Sequence, residues 1–198
     1  MTHLRTKRTK KPHTIKHALH LCCDNYGGRR EQMGNIEFHS GFAWATNAHI
    51  AIKIPTNEIF DIDKDTATKL DGKSIKREYW QMIKGKRVKV TEDGQILFSP
   101  HAKIEPCVPV PMLNPEFART LQEMIEGVLP SDKDYSPVKQ IGINSQFLLS
   151  CCKAMNLSYH SAKLSFCAEN KAIVIGRTGF DEPTESTGII MPVMIDHL

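Results

Sequence analysis

Residues 140–193 read QIGINSQFLLSCCKAMNLSYHSAKLSFCAENKAIVIGRTGFDEPTESTGIIMPV and predict a strand, a helix and three further strands. Ile141 and Ile143 alternate with polar or small residues, which is typical of a short half-buried strand. Asn144 or Ser145 is suited to cap a helix. The apolar residues that follow are spaced i, i+3, i+4, i+7 and form one stripe on that helix: Leu148, Cys151, Cys152 and Met155.

The end of this stretch predicts strands. Leu164 and Phe166 form one strand and Ile173 to Ile175 the next, with a polar turn over 168–171 between them. Ile189 to Val193 closes the unit. No residue pattern in the stretch is typical of a catalytic site, so it is interpreted as a structural building block.

The same order of elements occurs near the N-terminus. A helix is predicted after Pro12 from the spacing of Ile15, Ala18, Leu19 and Cys22. Three strands follow, over 36–38, 42–46 and 50–54. The doublets Cys22-Cys23 and Cys151-Cys152 fall in register when the two units are aligned. We therefore expect an α+β domain of duplicated helix-plus-three-strand units, which form antiparallel sheets with both helices on one side.

The expected domain plan follows from this repeat. Residues 1–12 are predicted to be a basic disordered tail and residues 13–198 a single domain, with halves at 13–55 and 139–194 and a linking region at 56–138. In the linking region we expect four features: a loop over 57–71, a helix within 74–84, a hairpin of 87–90 with 96–98, and a helix over 115–126.

Composition limits the classes of function. The 198 residues are 40% hydrophobic and 24% charged, as in an ordinary globular domain. No apolar run approaches the roughly 18 residues of a membrane span, and no signal peptide is evident, so we expect a cytoplasmic protein without membrane partners. The six cysteines lack CxxC spacing, which favours small buried hydrophobes in a reducing compartment over zinc or redox chemistry.

Patterns for catalysis and for metals are weak. The nine histidines are scattered and do not form a metal-binding spacing. Asp61, Asp63 and Asp65 alternate as at the start of a calcium loop, but Thr66 and Gly72 stand where glycine and glutamate are needed. We expect no enzyme activity, no metal and no cofactor.

Charge is distributed unevenly. The net charge is +4, and the first 23 residues contain several lysines and arginines but no acid. Such a segment suits a polyanion such as nucleic acid, and it equally suits a solvated tail that only aids solubility. Both interpretations remain open at this point.

Four short motifs resemble the bacterial DNA sliding clamp family, the beta subunit of DNA polymerase III. Ala45-Thr46-Asn47-Ala48-His49 resembles its Ala-Thr-Asp-Gly-His turn, and Val128-Leu129-Pro130 a Val-Leu-Pro segment that precedes a clamp half. Residues 141–149 resemble its Ile-Gly-Phe-Asn strand and the following helix. Residues 190–193 resemble its closing Val-Met-Pro-Met. The duplicated helix-and-strand plan is also that of a clamp domain.

The chain departs from the family in several places. Clamps of this type have three domains, and two chains close a ring of six, whereas this chain has one domain. Asn47-Ala48 replaces Asp-Gly, although alanine is strained in a left-handed turn position. Ile50 and Met194 stand where basic residues are expected.

The resemblance implies a divergent processivity factor in DNA replication, which binds duplex DNA without sequence preference. The DNA-binding residues would be the cations of the tail and of the two helix faces: Arg5, Lys7, Arg8, Lys10, Lys11, Lys16, His20 and Lys153.

The resemblance also implies an apolar cleft for peptides of polymerases or repair factors, carried over to His49, Ile50, Met191, Pro192 and Val193. Plain edge-strand packing is the alternative for the last three. One domain encircles DNA only as a homo-oligomer, so a homo-hexameric ring and a monomer both remain open. A second hypothesis is a protein-interaction module that never touches DNA.

Overall fold

Two antiparallel sheets organise the chain in the computed structural model, which describes residues 13–24, 31–114, 119–129, 141–157, 162–166, 171–177 and 185–192. The strands are β1 (His13–Thr14), β2 (Asn35–His39), β3 (Phe42–Thr46), β4 (Ile50–Pro55), β5 (Ser74–Lys76), β6 (Arg87–Val90), β7 (Ile96–Phe98), β8 (Val108–Pro109), β9 (Ala162–Ser165), β10 (Ile173–Arg177) and β11 (Thr187–Ile190). The α-helices are α1 (Thr56–Phe60), α2 (Lys64–Thr68), α3 (Arg77–Ile83), α4 (Leu121–Glu126) and α5 (Ser145–Ala154), and Leu19–Cys22 and Glu31–Gly34 are 3₁₀ helices. The protein is therefore of mixed α+β class.

The larger sheet has seven strands in the order β5-β2-β3-β4-β11-β10-β9. Its strands include two meanders, β2-β3-β4 and β9-β10-β11, whose last strands pair with each other. In that pairing Ile190 lies opposite Ile50 and Thr187 opposite Lys53. Successive side chains in β4 point to opposite faces of the sheet, as in any strand, so every second residue lies on one face. The two meanders are thus joined in the middle of the sheet by β4 and β11, which lie far apart in the sequence.

The two faces of this sheet are covered differently. The inner face carries Ile52, Ile175 and Ile190, and it packs against α5 and the 3₁₀ helix Leu19–Cys22 in the main core. The outer face carries Trp44, Ala51 and Ile189, which pack with Leu121 and Ile125 of α4 in a smaller cluster. Trp44 has no exposed surface, so α4 covers a part of the sheet that would otherwise face solvent.

The predicted N-terminal α-helix was wrong. Residues 13–14 form β1, and the only helical part of the segment 13–24 is the 3₁₀ helix. Ile15, Leu19 and Cys22 are buried as the spacing required, but carbonyls of this segment accept from side chains of α3. Trp80 Nε1 donates to His17 O at 3.0 Å and Arg77 Nε donates to His20 O at 3.0 Å. These bonds replace the regular i to i−4 bonds of an α-helix.

Predictions in the linking region had mixed outcomes. The hairpin β6-β7 and the helices α3 and α4 lie within the predicted ranges, although residues 115–118 of the second are outside the described part. The predicted loop over 57–71 was wrong, because α1 and α2 occupy most of it. Asp63, which lies within this predicted loop, caps α2 by accepting from Thr66 N at 2.8 Å. The expected strand at Ile141 and Ile143 is reduced to a single bridging residue, Gly142.

The smaller sheet has the order β1-β6-β7-β8. The linking region supplies β6, β7 and β8, and β1 comes from residues 13–14. Val88, Ile96 and Phe98 of this sheet join the main core. The linking region also supplies β5 at one edge of the larger sheet. Leu113 adds a bridge to that edge, because Leu113 and Ser74 of β5 exchange two backbone hydrogen bonds. Across the described ranges, none of the helices has the length and apolar character needed to cross a membrane.

Candidate functional site

An apolar groove opens on the outer face at the end where β4 and β11 meet. It encloses a cavity of about 230 Å³ between the β3-β4 turn, the residue after β11 and the helix α4. Three of its lining residues are methionines, and His49 is its single ionisable side chain. The lining residues are Met33, Thr46, Ala48, His49, Ile50, Ala51, Met124, Ile125, Val128, Ile189 and Met191.

The β3-β4 turn gives the groove a fixed rim. The Asn47 side-chain oxygen accepts from His49 N and from Ile50 N, both at 3.0 Å. Thr46 Oγ1 donates to Ile50 O at 2.8 Å and accepts from Ala48 N at 3.1 Å. Ala48 has a φ of 72°, so alanine holds the left-handed position that glycine would fill without strain. Four side-chain hydrogen bonds around one residue stabilise that conformation.

Three of the five predicted cleft residues meet at this groove. His49, Ile50 and Met191 all line it, and Met191 N donates to His49 O at 2.9 Å. The His49 ring stacks on Phe147 of α5, with ring centroids 5.4 Å apart, which fixes its position at the rim. Pro192 follows Met191 but does not line the cavity, and Val193 lies outside the described residues.

The sequence did not identify the wall of the groove that α4 forms. Met124, Ile125 and Val128 come from this helix and the turn after it. The helix was predicted over 115–126, whereas α4 begins after Thr120 with a complete capping box. The pattern Thr120-x-x-Glu123 is the signal that could have located this start. Val128 was noted as part of the Val-Leu-Pro motif, but nothing in the sequence indicated which sheet face the motif would reach.

The predicted DNA-binding residues fall into three groups. Lys16 and Lys153 are exposed, and their segments are adjacent, because Ala18 N donates to Lys153 O at 3.4 Å. His20 is instead buried, with 8% of its surface exposed. Burial, with Arg77 and Lys84 nearby, lowers the pKa of His20 to about 4, so a neutral ring faces the core and does not fit a phosphate contact. The tail cations Arg5, Lys7, Arg8, Lys10 and Lys11 lie outside the described residues.

Two further lysines join Lys16 on the surface. Lys84 and Lys86 are exposed in the turn after α3. That turn is bonded to the residue before Lys16, since Gly85 N donates to Ile15 O at 2.8 Å and Ile15 N donates to Lys86 O at 3.3 Å. We call Lys16, Lys84, Lys86 and Lys153 the basic surface. The sequence could not group them, because the contacts that bring them together are not local.

The buried cysteines have the properties of unreactive thiols. Cys22, Cys23 and Cys151 are buried. A hydrogen bond with Cys151 and burial raise the pKa of the Cys22 thiol, and burial raises the pKa of Cys23 to about 12. Thiols of this kind are poor nucleophiles at neutral pH. The expectation of burial was wrong for Cys107, which is exposed in the segment before β8, and Cys167 lies outside the described residues.

No grouping of three or more metal-ligating side chains occurs in the part of the chain that the structure describes. Models of known protein families and the sequences of curated proteins give no match to this chain.

Proposed function

We propose that the protein is a clamp-like DNA-replication accessory protein whose outer groove binds short linear peptides of polymerase or repair partners. The observation that carries the proposal is the meeting of three clamp-like motifs that are far apart in the sequence. His49 of the motif 45–49, Val128 of the motif 128–130 and Met191 of the motif 190–193 line the same apolar cavity. Separate motifs that converge on one cavity are more informative than each motif alone.

The sheet topology supports a clamp-like duplication of two units. Each meander of three strands has a helical segment on the inner face, α5 for one and the 3₁₀ helix Leu19–Cys22 for the other. The two segments pack on each other, and His17 Nδ1 lies 2.9 Å from Ala154 O. In this proposal the N-terminal unit has kept its place in the duplicated plan and has replaced its α-helix by a shorter 3₁₀ helix.

The size and chemistry of the groove fit side chains of a peptide. A cavity of about 230 Å³ is smaller than the roughly 300–1,000 Å³ of typical small-molecule sites. Its lining offers apolar surface and three flexible thioethers, which adapt to differently shaped apolar groups. We therefore propose that two neighbouring large apolar side chains of the partner enter the groove.

Fluorescence polarisation with labelled heptapeptides that carry Leu and Phe side by side tests the groove. We expect Met191→Asp and Val128→Asp to weaken binding by on the order of tenfold or more, because they place a charge on a desolvated contact. Met82→Asp is the matched control, since Met82 is 41% exposed and Met191 36% exposed but Met82 does not line the groove. Failure of the wild-type protein to bind any such peptide up to about 1 mM would overturn the proposal.

Duplex DNA is a second proposed partner, and the basic surface is the observation that favours it. Lys16, Lys84, Lys86 and Lys153 are all exposed, and lysines at such positions contact phosphates without reading sequence. Six copies would be needed for a ring if the fold is used as in clamps, which light scattering after size-exclusion chromatography measures directly. A monomer at high concentration argues against the ring.

A fluorescent duplex measured at several salt concentrations tests DNA binding. The variant K16E/K84E/K86E should weaken binding and reduce the salt slope by about 0.9 for each phosphate that is no longer neutralised. The control K64E/K69E/K103E makes the same charge change at exposed lysines elsewhere. Deletion of residues 1–12 separates the contribution of the tail. Equal effects of the two triple variants would show that the basic surface is not the DNA contact. Absence of duplex binding by the wild-type protein would favour the alternative function, an interaction module that does not bind DNA.

A further inference from the structure

Glu37 is a buried carboxylate on the outer face of the larger sheet. It lies in β2 with 1% of its surface exposed. A buried carboxylate costs free energy unless hydrogen bonds and charge partners replace water. Three groups do so here. Leu121 N donates to Oε2 at 2.9 Å, Gln32 Nε2 donates to Oε1 at 2.8 Å, and His39 Nε2 lies 3.4 Å from Oε2.

The contact with Leu121 ties β2 to the start of α4. The first amides of a helix have no partner inside the helix. Thr120 Oγ1 accepts from Glu123 N at 3.2 Å, and Glu37 accepts from the amide of Leu121. A negative charge at this end of a helix is also favourable. Glu37 of β2 thus supplies an acceptor for the amide of Leu121, which the capping box of Thr120 and Glu123 leaves unbonded.

Other contacts strengthen the same connection. Gln32 Nε2, which donates to Glu37, also lies 2.7 Å from Arg119 O, just before the helix. Ser40 Oγ donates to Gln122 Oε1 at 3.1 Å. Leu121 and Ile125 are buried against Trp44 and the neighbouring strands. The polar contacts are concentrated at the N-terminal end of α4, and Glu37 is the buried centre of them.

We propose that Glu37 is a positioning residue for the groove. It holds the N-terminal end of α4 against β2 and thereby sets where Met124, Ile125 and Val128 stand as the groove wall. The role in ligand binding rests on the proposed peptide function, whereas the hold on α4 is testable without any ligand.

Hydrogen exchange measured by mass spectrometry tests the hold on α4. In Glu37→Ala we expect the amides of residues 121–126 to exchange on the order of tenfold faster or more, because a charge-assisted hydrogen bond and its neighbours are removed. Glu37→Gln keeps an oxygen that accepts from Leu121 N and should recover most of the protection. Glu58→Ala is the control, since Glu58 accepts from Ser186 Oγ at 3.0 Å and this bond joins α1 to the residue before β11 rather than to α4.

Each result of this experiment has one meaning. Unchanged exchange of α4 in Glu37→Ala overturns the inference. A uniform increase over both sheets overturns it as well, because Glu37 would then stabilise the whole fold. If Glu37→Ala does not fold, Gln32→Ala takes its place, because Gln32 Nε2 donates to Glu37 Oε1 and to Arg119 O. Protection of α4 in Gln32→Ala equal to that in the wild type then overturns the inference.

A second measurement links the helix to the groove. Trp44 lies under α4 without exposed surface, so acrylamide should quench it more strongly in Glu37→Ala than in Glu37→Gln. Peptide affinity should fall in the same order. If quenching changes and the wild-type protein binds no peptide, the hold on α4 stands and the proposed peptide function fails. If peptide binds equally to all three proteins, the positioning role is overturned while the peptide function stands.

Discussion

Gly94, at the tip of the β6-β7 hairpin, is the glycine with the least room in the described structure. Its φ is +73°, and a Cβ at this position would lie 2.2 Å from Lys69 O. Lys73 Nζ also bonds to the tip, donating to Asp93 O at 3.0 Å and to Gly94 O at 2.8 Å. The hairpin tip is therefore seated on the connection between α2 and β5, and only glycine allows that approach.

Gly94→Ala should destabilise the protein more than a comparable glycine substitution. The control is Gly72→Ala, because Gly72 has a φ of +78° and no atom lies within 4 Å of a Cβ added there. We expect the control to lose about 1–2 kcal/mol from left-handed strain alone and Gly94→Ala to lose roughly 2 kcal/mol more from the clash. Urea unfolding of both variants measures the difference, and equal midpoints would contradict the close approach.

His20 should make stability depend on pH. Its pKa is about 4 in the folded protein and 6.5 is the ordinary value. Between these pH values the unfolded chain binds a proton that the folded chain does not, so stability falls as pH drops from 6.5 towards 4. The full effect corresponds to roughly 3 kcal/mol.

The His20 contribution is measured by substitution. Urea midpoints of the wild type and of His20→Phe are compared across this pH range, and the wild type should lose stability faster on acidification. Parallel curves for the two proteins would show that His20 has no such role.

His20 also shows what a sequence pattern misses at the residue scale. A helical wheel placed it on a polar face, beside Lys16. Arg77 of α3 donates a hydrogen bond to the carbonyl of His20. This bond takes the place of a regular bond within an α-helix. Apolar positions such as Ile15 and Leu19 were identified correctly, because burial of a large apolar side chain is required whatever the backbone conformation.

At the scale of elements, strands with regular alternation were predicted well and irregular segments were not. The strands β2, β3, β4 and β10 lie within a few residues of their predicted places. Side chains alternate between the two faces of a strand whatever the order of strands in the sheet, so the pattern of period two is visible in the sequence. The groove was predicted in part for a related reason. Its strand residues belong to recognisable motifs, whereas its α4 wall depends on Glu37, which is distant in the sequence.

The smaller sheet ends in a strand that is protected by prolines. Val110 N donates to Ile96 O at 2.8 Å, so this amide points inwards to β7. Amides of adjacent residues in a strand point in opposite directions, which places Pro109 and Pro111 where an amide would face outwards. Proline lacks that donor and therefore blocks pairing with another chain.

Replacing both prolines should expose this edge. We expect Pro109→Thr/Pro111→Thr to self-associate more than the wild type at equal concentration, because two outward donors are restored. Light scattering over time measures the change. The control is Pro100→Thr/Pro55→Thr, which changes one exposed proline and one half-buried proline outside β8. Self-association equal to that of the control would show that the edge needs no such protection.

At the scale of the whole molecule, the pairing of β4 with β11 makes the two halves of the larger sheet depend on each other. Ile50, Ile52 and Ile54 share one core with Ile175 and Ile190. These residues lie far apart in the sequence. Pairing β4 with β11 therefore carries the entropy cost of closing a long loop. The helix α5 contacts β4 as well as β11, so the second unit covers part of the inner face of the first.

We therefore expect two separate fragments, 1–134 and 135–198, to fold only when mixed. The cut leaves β1 to β8 in the first fragment and α5 with β9 to β11 in the second. Each fragment alone should lack cooperative thermal unfolding by circular dichroism, and the mixture should gain it and elute as a one-to-one complex.

Ile190→Asp in the smaller fragment should abolish association, because Ile190 is fully buried on the inner face. Thr187→Asp should be tolerated, since Thr187 is half-buried on the outer face of the same strand. Cooperative unfolding of the larger fragment by itself would instead mean that the first meander, with the smaller sheet, forms an independent core to which the second meander is added.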